Sequence, residues 1–520
     1  MVLIPISIAK RIHMKDLAIN MNIQNFRAGG ILKSKWFWML LSATLIGIYL
    51  FSGYCSWAYD DPFITYRYAE NLRKGLGFVY NPGEKILSTT TPLFTLILAL
   101  FGYLWSDLPQ LANYLGVIAL VVGGIFLWDF GHTWKYPVVG WTGLLLYPTF
   151  PLVVATLGSE TPLYLAFCLG IFTFYARGRY PLAGLFGALA ILTRPDGMLV
   201  VVILGIDYIF RVRSAISWKV LVILILPALV WFLFAWIYFG DPLPITLATK
   251  QYQGNMSISQ KFSPGIFTIL KYFLIRWHYW IEAFVAIVGL VYVGWKGRQW
   301  AVFLIWPAFY FIAYSILGVS RYFWYYATLV PGFVVLVGFG IVAICRWVQI
   351  VFERQNGIPI DNVHGTDNGD RLNLRLAGFL ILFFLVFQVY DLSDARMFSD
   401  TRFGIYRAAG EWLQKNTSPE DKVGAMEVGI IGYYARRPMV DFAGLIQPEV
   451  AELLTKDTTY EDAAVWAAGK FQPRYVVLAS GMYPLLDGEI ISKYCNLIAQ
   501  LSGEQYGYSN DMDIYSCYGD

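Results

Sequence analysis

Charge is scarce in this sequence. Asp, Glu, Lys and Arg make up 14% of its 520 residues, where an ordinary water-soluble chain carries about 25%. That excludes intrinsic disorder, which depends on a polar and charged composition, and it excludes an ordinary cytosolic enzyme. Five cysteines in a chain this long are too few for a disulfide scaffold. The four histidines, His13, His132, His278 and His364, are dispersed, and no HExxH, CxxC or Gly-rich nucleotide loop occurs. The basic residues are scattered among loops and not gathered on one face, so nucleic acid is not an expected partner. What is abundant is apolar: 57% of the residues are hydrophobic and 18% aromatic, with a mean hydropathy of +0.53. Since a helix needs about 20 apolar residues to cross the hydrocarbon, the composition points to an integral protein with many spans.

The few charges are unevenly placed. Residues 392–520 hold 11 Lys and Arg against 18 Asp and Glu, a net of −7, so the remainder of the 39 and 35 leaves 28 against 17, a net of +11. A basic membrane part followed by an acidic tail suits contact with anionic lipid on one side and a separately folded unit on the other. The segment 1–35 carries Lys10, Arg11, Lys15, Arg27, Lys33 and Lys35 against Asp16 alone. By the positive-inside rule it stays cytoplasmic, and the apolar run from Trp36 to about Trp57 leads outward. That run lacks a small-residue cleavage site and reads as a retained anchor.

Further apolar segments are expected near 92–106, 109–131, 137–157, 161–176, 181–194, 197–210, 218–239, 266–295, 299–317, 325–345 and 375–391. Basic residues such as Arg177, Arg179, Arg211, Arg213, Lys296 and Arg346 place their loops inside. The loops at 59–91, 158–161, 240–264 and 319–324 then fall outside, together with everything after 392. The charges ask for termini on opposite sides, hence 11 or 13 spans, with a break expected at Tyr147-Pro148 or Phe150-Pro151. This defines an all-α transmembrane domain over 36–391, interrupted by a polar cytoplasmic linker at 346–374, and a small α/β domain over 392–520. In the tail, helices are expected near 404–416 and 461–471, and strands near 422–426, 475–479 and 513–517. Cys495 and Cys517 both fall there; a disulfide and two unpaired thiols are equally open readings. Asn255-Met256-Ser257 and Asn416-Thr417-Ser418 match the N-glycosylation triplet, a pattern that also arises by chance.

The chemistry-bearing stretch follows the first span: Asp60-Asp61-Pro62-Phe63-Ile64-Thr65-Tyr66-Arg67. Pro62 suits the first turn of a new helix, which would make Asp61 its N-cap and set Asp60 beside the same positive helix end. Both effects favour the ionised carboxylate, the form a general base needs. Arg67, about two turns on, could orient an acid or bind a phosphate. Capping alone also explains an Asp-Asp-Pro run. A turn-rich loop of this length between two spans is more often functional.

The run from Asp60 to Pro92, with Arg67-Tyr68-Ala69, Asn71-Leu72, Gly75, Gly77 and Asn81-Pro82-Gly83-Glu84, resembles the first external loop of membrane GT-C glycosyltransferases. It is most similar to the branch of the mycobacterial terminal arabinofuranosyltransferases, and more distantly similar to protein O-mannosyltransferases and the aminoarabinose transferase of lipid A. The resemblance continues through Gly158-Ser159-Glu160, Arg194-Pro195-Asp196, Pro242-Leu243-Pro244 with Lys250, and Ser320-Arg321-Tyr322. It reaches into the tail at Glu411-Trp412-Leu413, Gly429-Ile430-Ile431-Gly432-Tyr433 and Asp441-Phe442-Ala443-Gly444-Leu445. It departs from the common pattern at Leu87-Ser88-Thr89-Thr90-Thr91-Pro92, which leaves the sugar and acceptor open.

The resemblance implies a polyprenyl-phosphate sugar donor, an acceptor glycan, lipid or protein approaching from outside, and inversion at the anomeric carbon in a prokaryotic cell membrane. Asp60 is then the expected base, with Asp61 supporting it or binding sugar. A departing phosphate needs cations near the external face, and Lys250, Arg321 with Tyr322, and Arg194 are the candidates; snorkelling is the plainer reading of each. Glu160 could hold acceptor, sugar or a divalent cation, which leaves metal dependence open; no other cofactor is indicated. Two other classes fit many spans: a transporter or flippase of lipid-linked sugars, and a non-catalytic subunit of the same fold.

Overall fold

The computed structural model describes residues 34–213, 216–355, 367–393 and 400–518. The expected cytoplasmic segment with Lys10 to Lys33, and linker residues 356–366 with His364, lie outside the described residues.

In chain order the helices are α1 (Lys35–Tyr54), α2 (Asp61–Arg73), α3 (Pro92–Phe101), α4 (Leu108–Thr133), α5 (Pro137–Leu146), α6 (Pro151–Val154) and α7 (Thr161–Ala176). Next come α8 (Tyr180–Thr193), α9 (Gly197–Asp207), α10 (Trp218–Phe239), α11 (Ile245–Asn255), α12 (Phe262–Leu274), α13 (Trp277–Lys296) and α14 (Ala301–Leu317). The short α15 (Phe323–Tyr326) precedes α16 (Val330–Gln355) and α17 (Asp367–Ser393). Among the described residues, 7 helices are long and apolar enough to cross a membrane, and shorter apolar helices of 10–17 residues stand between them. The protein is an integral membrane protein. α4 packs on α5 and α7, and α13 packs on α16, so the bundle core is built from buried aromatics such as Trp128, Trp300, Trp306 and Tyr164.

The proline break falls where expected, with α5 ending at Leu146 and α6 starting at Pro151. The single segment expected over 266–295 is instead two helices, α12 and α13. Arg276, in extended conformation, separates them and pairs with Asp391 on α17.

The tail is a small α/β unit. It contains α18 (Phe403–Asn416), β1 (Val423–Ala425), α19 (Ile430–Ala435), β2 (Met439–Asp441), α20 (Pro448–Ala451), α21 (Tyr460–Phe471), β3 (Tyr475–Ala479), β4 (Cys495–Leu501) and β5 (Met512–Cys517). The five strands order as β2-β1-β3-β5-β4, with β1 parallel to β2 and β3 and β5 antiparallel to β3 and β4. Both helices and all three strands expected in the tail are present. Cys495 and Cys517 face each other across β4 and β5 and form a disulfide.

Candidate functional site

The helix after the first span begins at Asp61, and Asp60 occupies the N-cap position without making a side-chain cap bond to its own helix. Its carboxylate crosses to the tail: Oδ1 accepts the backbone N–H of Ile430 at 2.8 Å and Oδ2 that of Gly429 at 3.2 Å. The expected cap at Asp61 is therefore corrected, and simple capping of α2 does not account for Asp60. Nor is its ionised form favoured as expected. Asp60 is only 7% exposed, and burial, followed by the negative Glu427 nearby, pushes its carboxyl well above the usual range, while Arg402 and the Ile430 N–H pull the other way. Desolvation of a carboxylate outweighs the helix-end effect here.

Other side chains of the first loop also read the backbone of the tail. Arg67 is buried and donates to the carbonyls of Tyr80 at 3.1 Å, Arg437 at 2.8 Å and Gly432. Asn81 exchanges two hydrogen bonds with the backbone of Met439, each 2.9 Å, and the Tyr80 hydroxyl donates to Val428 O at 2.6 Å. A Cβ at Gly429 would collide with Asp60, and one at Gly432 with the Tyr80 hydroxyl. The Gly429-Ile430-Ile431-Gly432 run is thus a surface on which the loop sits. Arg67 does not orient Asp60 or face a phosphate, because carbonyls occupy its guanidinium; it pins the tail to the loop.

Asp61 is differently placed. Its carboxylate meets Lys250 Nζ at 2.8 Å, and the ammonium lies over the rings of Tyr322 at 4.3 Å, Trp324 at 5.2 Å and Tyr325 at 5.8 Å. Burial works against the Lys250 charge, but Asp61 and the tyrosines overcome it and hold the ammonium above its ordinary range. The Tyr322 hydroxyl donates to Gln253 Oε1 at 3.0 Å.

Two cavities meet at this point. The first, about 600 Å³, is lined by Asp60, Asp61, Gln253, Arg321 and Tyr322 from the membrane part and by Asp400, Arg402, Glu427, Tyr460 and Tyr483 from the tail. The second, about 560 Å³, is lined by Asp61, Lys250, Glu160, Arg194 and Asp196, and is otherwise walled largely by apolar side chains such as Met198, Val202, Leu247, Phe309 and Leu317. Tyr59, Asp61, Trp324 and Leu445 line both. The structure brings Asp61, Lys250, Glu160 and Arg194 around one space and sets Asp60, Arg321 and Tyr322 around the other.

The expected group of three cations about one phosphate is accordingly divided. Lys250 and Arg194 line the second cavity and Arg321 the first. Arg194 is answered by Glu160 and Asp196, each at 3.1 Å, and by the Tyr314 hydroxyl at 2.9 Å; it is the centre of an internal ion cluster and brings little spare charge. Arg321, by contrast, makes no side-chain hydrogen bond or ion pair among the described residues. No group of three or more His, Cys, Asp or Glu suited to a metal ion occurs among them either, and Glu160 is engaged by Arg194.

Sequence reasoning left open whether the tail binds glycan, helps close the site or is an inert cap, and did not find the residues it contributes. Glu427 and Arg402 form an ion pair in the cavity that Asp60 also lines, and Glu427 is itself raised by burial. The only signal was the position of Glu427, two residues ahead of Gly429.

A family model described as a domain of unknown function (DUF8728) matches residues 396–515. The terminal beta-(1->2)-arabinofuranosyltransferase of Mycobacterium tuberculosis (strain ATCC 25618 / H37Rv) is 26% identical over 244 residues, 42% of this chain and 38% of that protein. The match spans under two fifths of that relative's length. Among solved structures, ArnT from Cupriavidus metallidurans in the apo state aligns over 92% of this chain and 97% of its own, with 13% identity and a TM-score of 0.59. The same protein bound to undecaprenyl phosphate aligns over 92% and 98%, at 13% identity and a TM-score of 0.53. The Archaeoglobus fulgidus oligosaccharyltransferase tethered with an acceptor peptide covers 90% of this chain and 73% of its own, at 12% identity and a TM-score of 0.54. At these identities the likeness is one of fold: the chain has a membrane fold like that of ArnT, followed by a small sheet domain.

Proposed function

We propose that the protein is an inverting glycosyltransferase that moves a sugar from a polyprenyl-phosphate donor to a hydroxyl of an extracytoplasmic acceptor. One observation carries the reading: Asp60 and Asp61 stand where an apolar cavity holding Lys250 meets a polar, aromatic cavity formed with the tail. The apolar cavity suits an isoprenoid with its phosphate beside Lys250. The other suits an acceptor, since aromatic faces and carboxylates are a usual surface for sugar rings and hydroxyls. The fold shared with ArnT, for which a complex with undecaprenyl phosphate is known, and the partial similarity to an arabinofuranosyltransferase support the same reading.

In this scheme Asp60, in its ionised form, takes the proton of the acceptor hydroxyl. The acceptor oxygen bonds to the anomeric carbon from the face opposite the phosphate. The bond from that carbon to the phosphate oxygen breaks, its electron pair stays on the phosphate, and Lys250 offsets the new charge. Asp61 holds Lys250 and lies on the boundary that the sugar occupies. Arg321 and Tyr322 line the acceptor side, and Glu160 and Arg194 shape the donor side. In the same scheme the N-terminus is cytoplasmic and the tail lies outside a prokaryotic cell membrane, a reading supported by the charges of the loops.

The test is incubation of the purified protein in lipid discs with a panel of polyprenyl-phosphate sugars and glycan, lipid and peptide acceptors, followed by mass analysis. A new glycoside together with free polyprenyl phosphate supports the reading. Movement of lipid-linked sugar across a vesicle bilayer with no glycoside formed overturns it in favour of a transporter.

A further inference from the structure

α11 runs from Ile245 to Asn255 with Pro244 before it, and its first turn opens on the apolar cavity through Pro244, Thr246 and Leu247, one turn ahead of Lys250. Residues four apart share a helix face, so Thr246 and Lys250 lie one above the other on the cavity side. The extended segment before α3 closes against the same end, where Ile245 N–H donates to Leu87 O at 3.0 Å. Ser88, the next residue, also lines the cavity.

Two hydroxyls of this corner are buried without a partner, as are some elsewhere in the bundle such as those of Ser320 and Thr328. Thr246 is 6% exposed and Ser88 3%, and neither hydroxyl oxygen meets a hydrogen-bond partner. A buried hydroxyl left unpaired costs free energy, and the neighbouring threonines avoid that cost. Thr65, Thr89 and Thr91 hydrogen-bond to one another at 3.1–3.3 Å, and Thr249, three residues further along α11, donates to Gly444 O at 3.1 Å. Both unpaired hydroxyls of the corner lie beside the N-terminus of α11, where the Ile245 N–H is taken by Leu87 O and the Leu247 N–H by Pro244 O, but the positive end of the helix still favours an anion.

We infer that Thr246 and Ser88, with the N-terminus of α11 and Lys250, form the subsite that holds the phosphate group of a lipid. The inference deepens the proposed function and rests on it for the source of that lipid, the polyprenyl-phosphate donor. Charge balance supplies a further reason for neutral donors. Lys250 and Arg194 face Asp61, Glu160 and Asp196 in this cavity, so a phosphate there meets two cations beside three carboxylates. Hydroxyl and N–H donors add hydrogen bonds to phosphate without needing further cations. The growing negative charge on the departing phosphate would strengthen them as the glycosidic bond breaks.

The experiment measures binding of a polyprenyl monophosphate, carrying no sugar, to the full chain in neutral-lipid discs, with inorganic phosphate and phosphatidylglycerol as parallel probes. Thr246→Val keeps the shape and removes the hydroxyl. Because that hydroxyl has no partner within the protein, the thermal midpoint is expected to stay level or rise. Polyprenyl-phosphate binding should weaken about tenfold or more, the effect of one hydrogen bond to a charged group. Thr246→Ser should restore binding, and Ser88→Ala should weaken it in the same direction. Wild-type affinity in both Thr246→Val and Ser88→Ala overturns the inference. So does a parallel loss of thermal stability and binding that Thr246→Ser fails to rescue, which would mark a structural hydroxyl. A loss confined to the sugar-bearing donor would assign the corner to the sugar and overturn the phosphate assignment. Equal binding of phosphatidylglycerol would keep the phosphate subsite and remove support for the donor reading. If the wild-type protein binds none of the phosphate probes, both fall.

Discussion

At the residue scale, the adjacent acids of the first loop divide into two environments. Asp60 gives both carboxylate oxygens to the tail and is buried; Asp61 is partly exposed and joined to Lys250. The adjacency and the helix start at Pro62 were legible in the sequence. The partners of Asp60 were not, because they lie 369 and 370 residues away. If Asp60 is the base, Asp60→Asn should lower the transfer rate by roughly 10²–10⁴-fold while the protein still purifies folded, as measured by turnover beside a thermal melt. The pH profile gives a second check. A carboxyl raised by burial binds its proton at a higher pH than usual, so activity should fall as pH drops through a value above the ordinary carboxylate range. Glu427 adds to that elevation. Glu427→Gln should therefore move the acid limb of kcat/KM to lower pH, and an upward shift would contradict the proposed role.

At the scale of elements, the loop and the tail behave as one unit. Arg67, Tyr80 and Asn81 bind tail carbonyls and amides, so side-chain identity is needed on the loop and small size on the tail, at Gly429 and Gly432. Arg67→Ala leaves buried carbonyls without donors and should cost about 3 kcal/mol of stability, read as a lower thermal midpoint and easier proteolysis at the junction. Gly429→Ala should undock the tail and reduce transfer while leaving the helical bundle intact, because the added Cβ would collide with Asp60 at the junction itself. The long tail helices and β3 were readable from apolar periodicity. β2 has only three residues and β4 is largely exposed, so neither carries an alternating pattern to find. The apolar run over 266–295 reads as one span because hydropathy does not register that Arg276 turns aside to meet Asp391.

At the scale of the whole molecule, the scarcity of charge and its division between basic bundle and acidic tail marked out both units before any contact was known. Composition did not reveal that the second unit completes the site of the first. The tail supplies Asp400, Arg402, Glu427, Tyr460 and Tyr483 to the cavity facing Asp60, through contacts that no local sequence pattern encodes. The central claim is that this cavity and the apolar one beyond Asp61 receive the two substrates of a glycosyl transfer. The most direct measurement is mass analysis of the product formed by purified wild-type and Asp60→Asn protein from a panel of polyprenyl-phosphate sugars. The account predicts a glycoside of inverted anomeric configuration and an equal amount of polyprenyl phosphate from the wild type, with neither from the variant. Equal product from both proteins would contradict it.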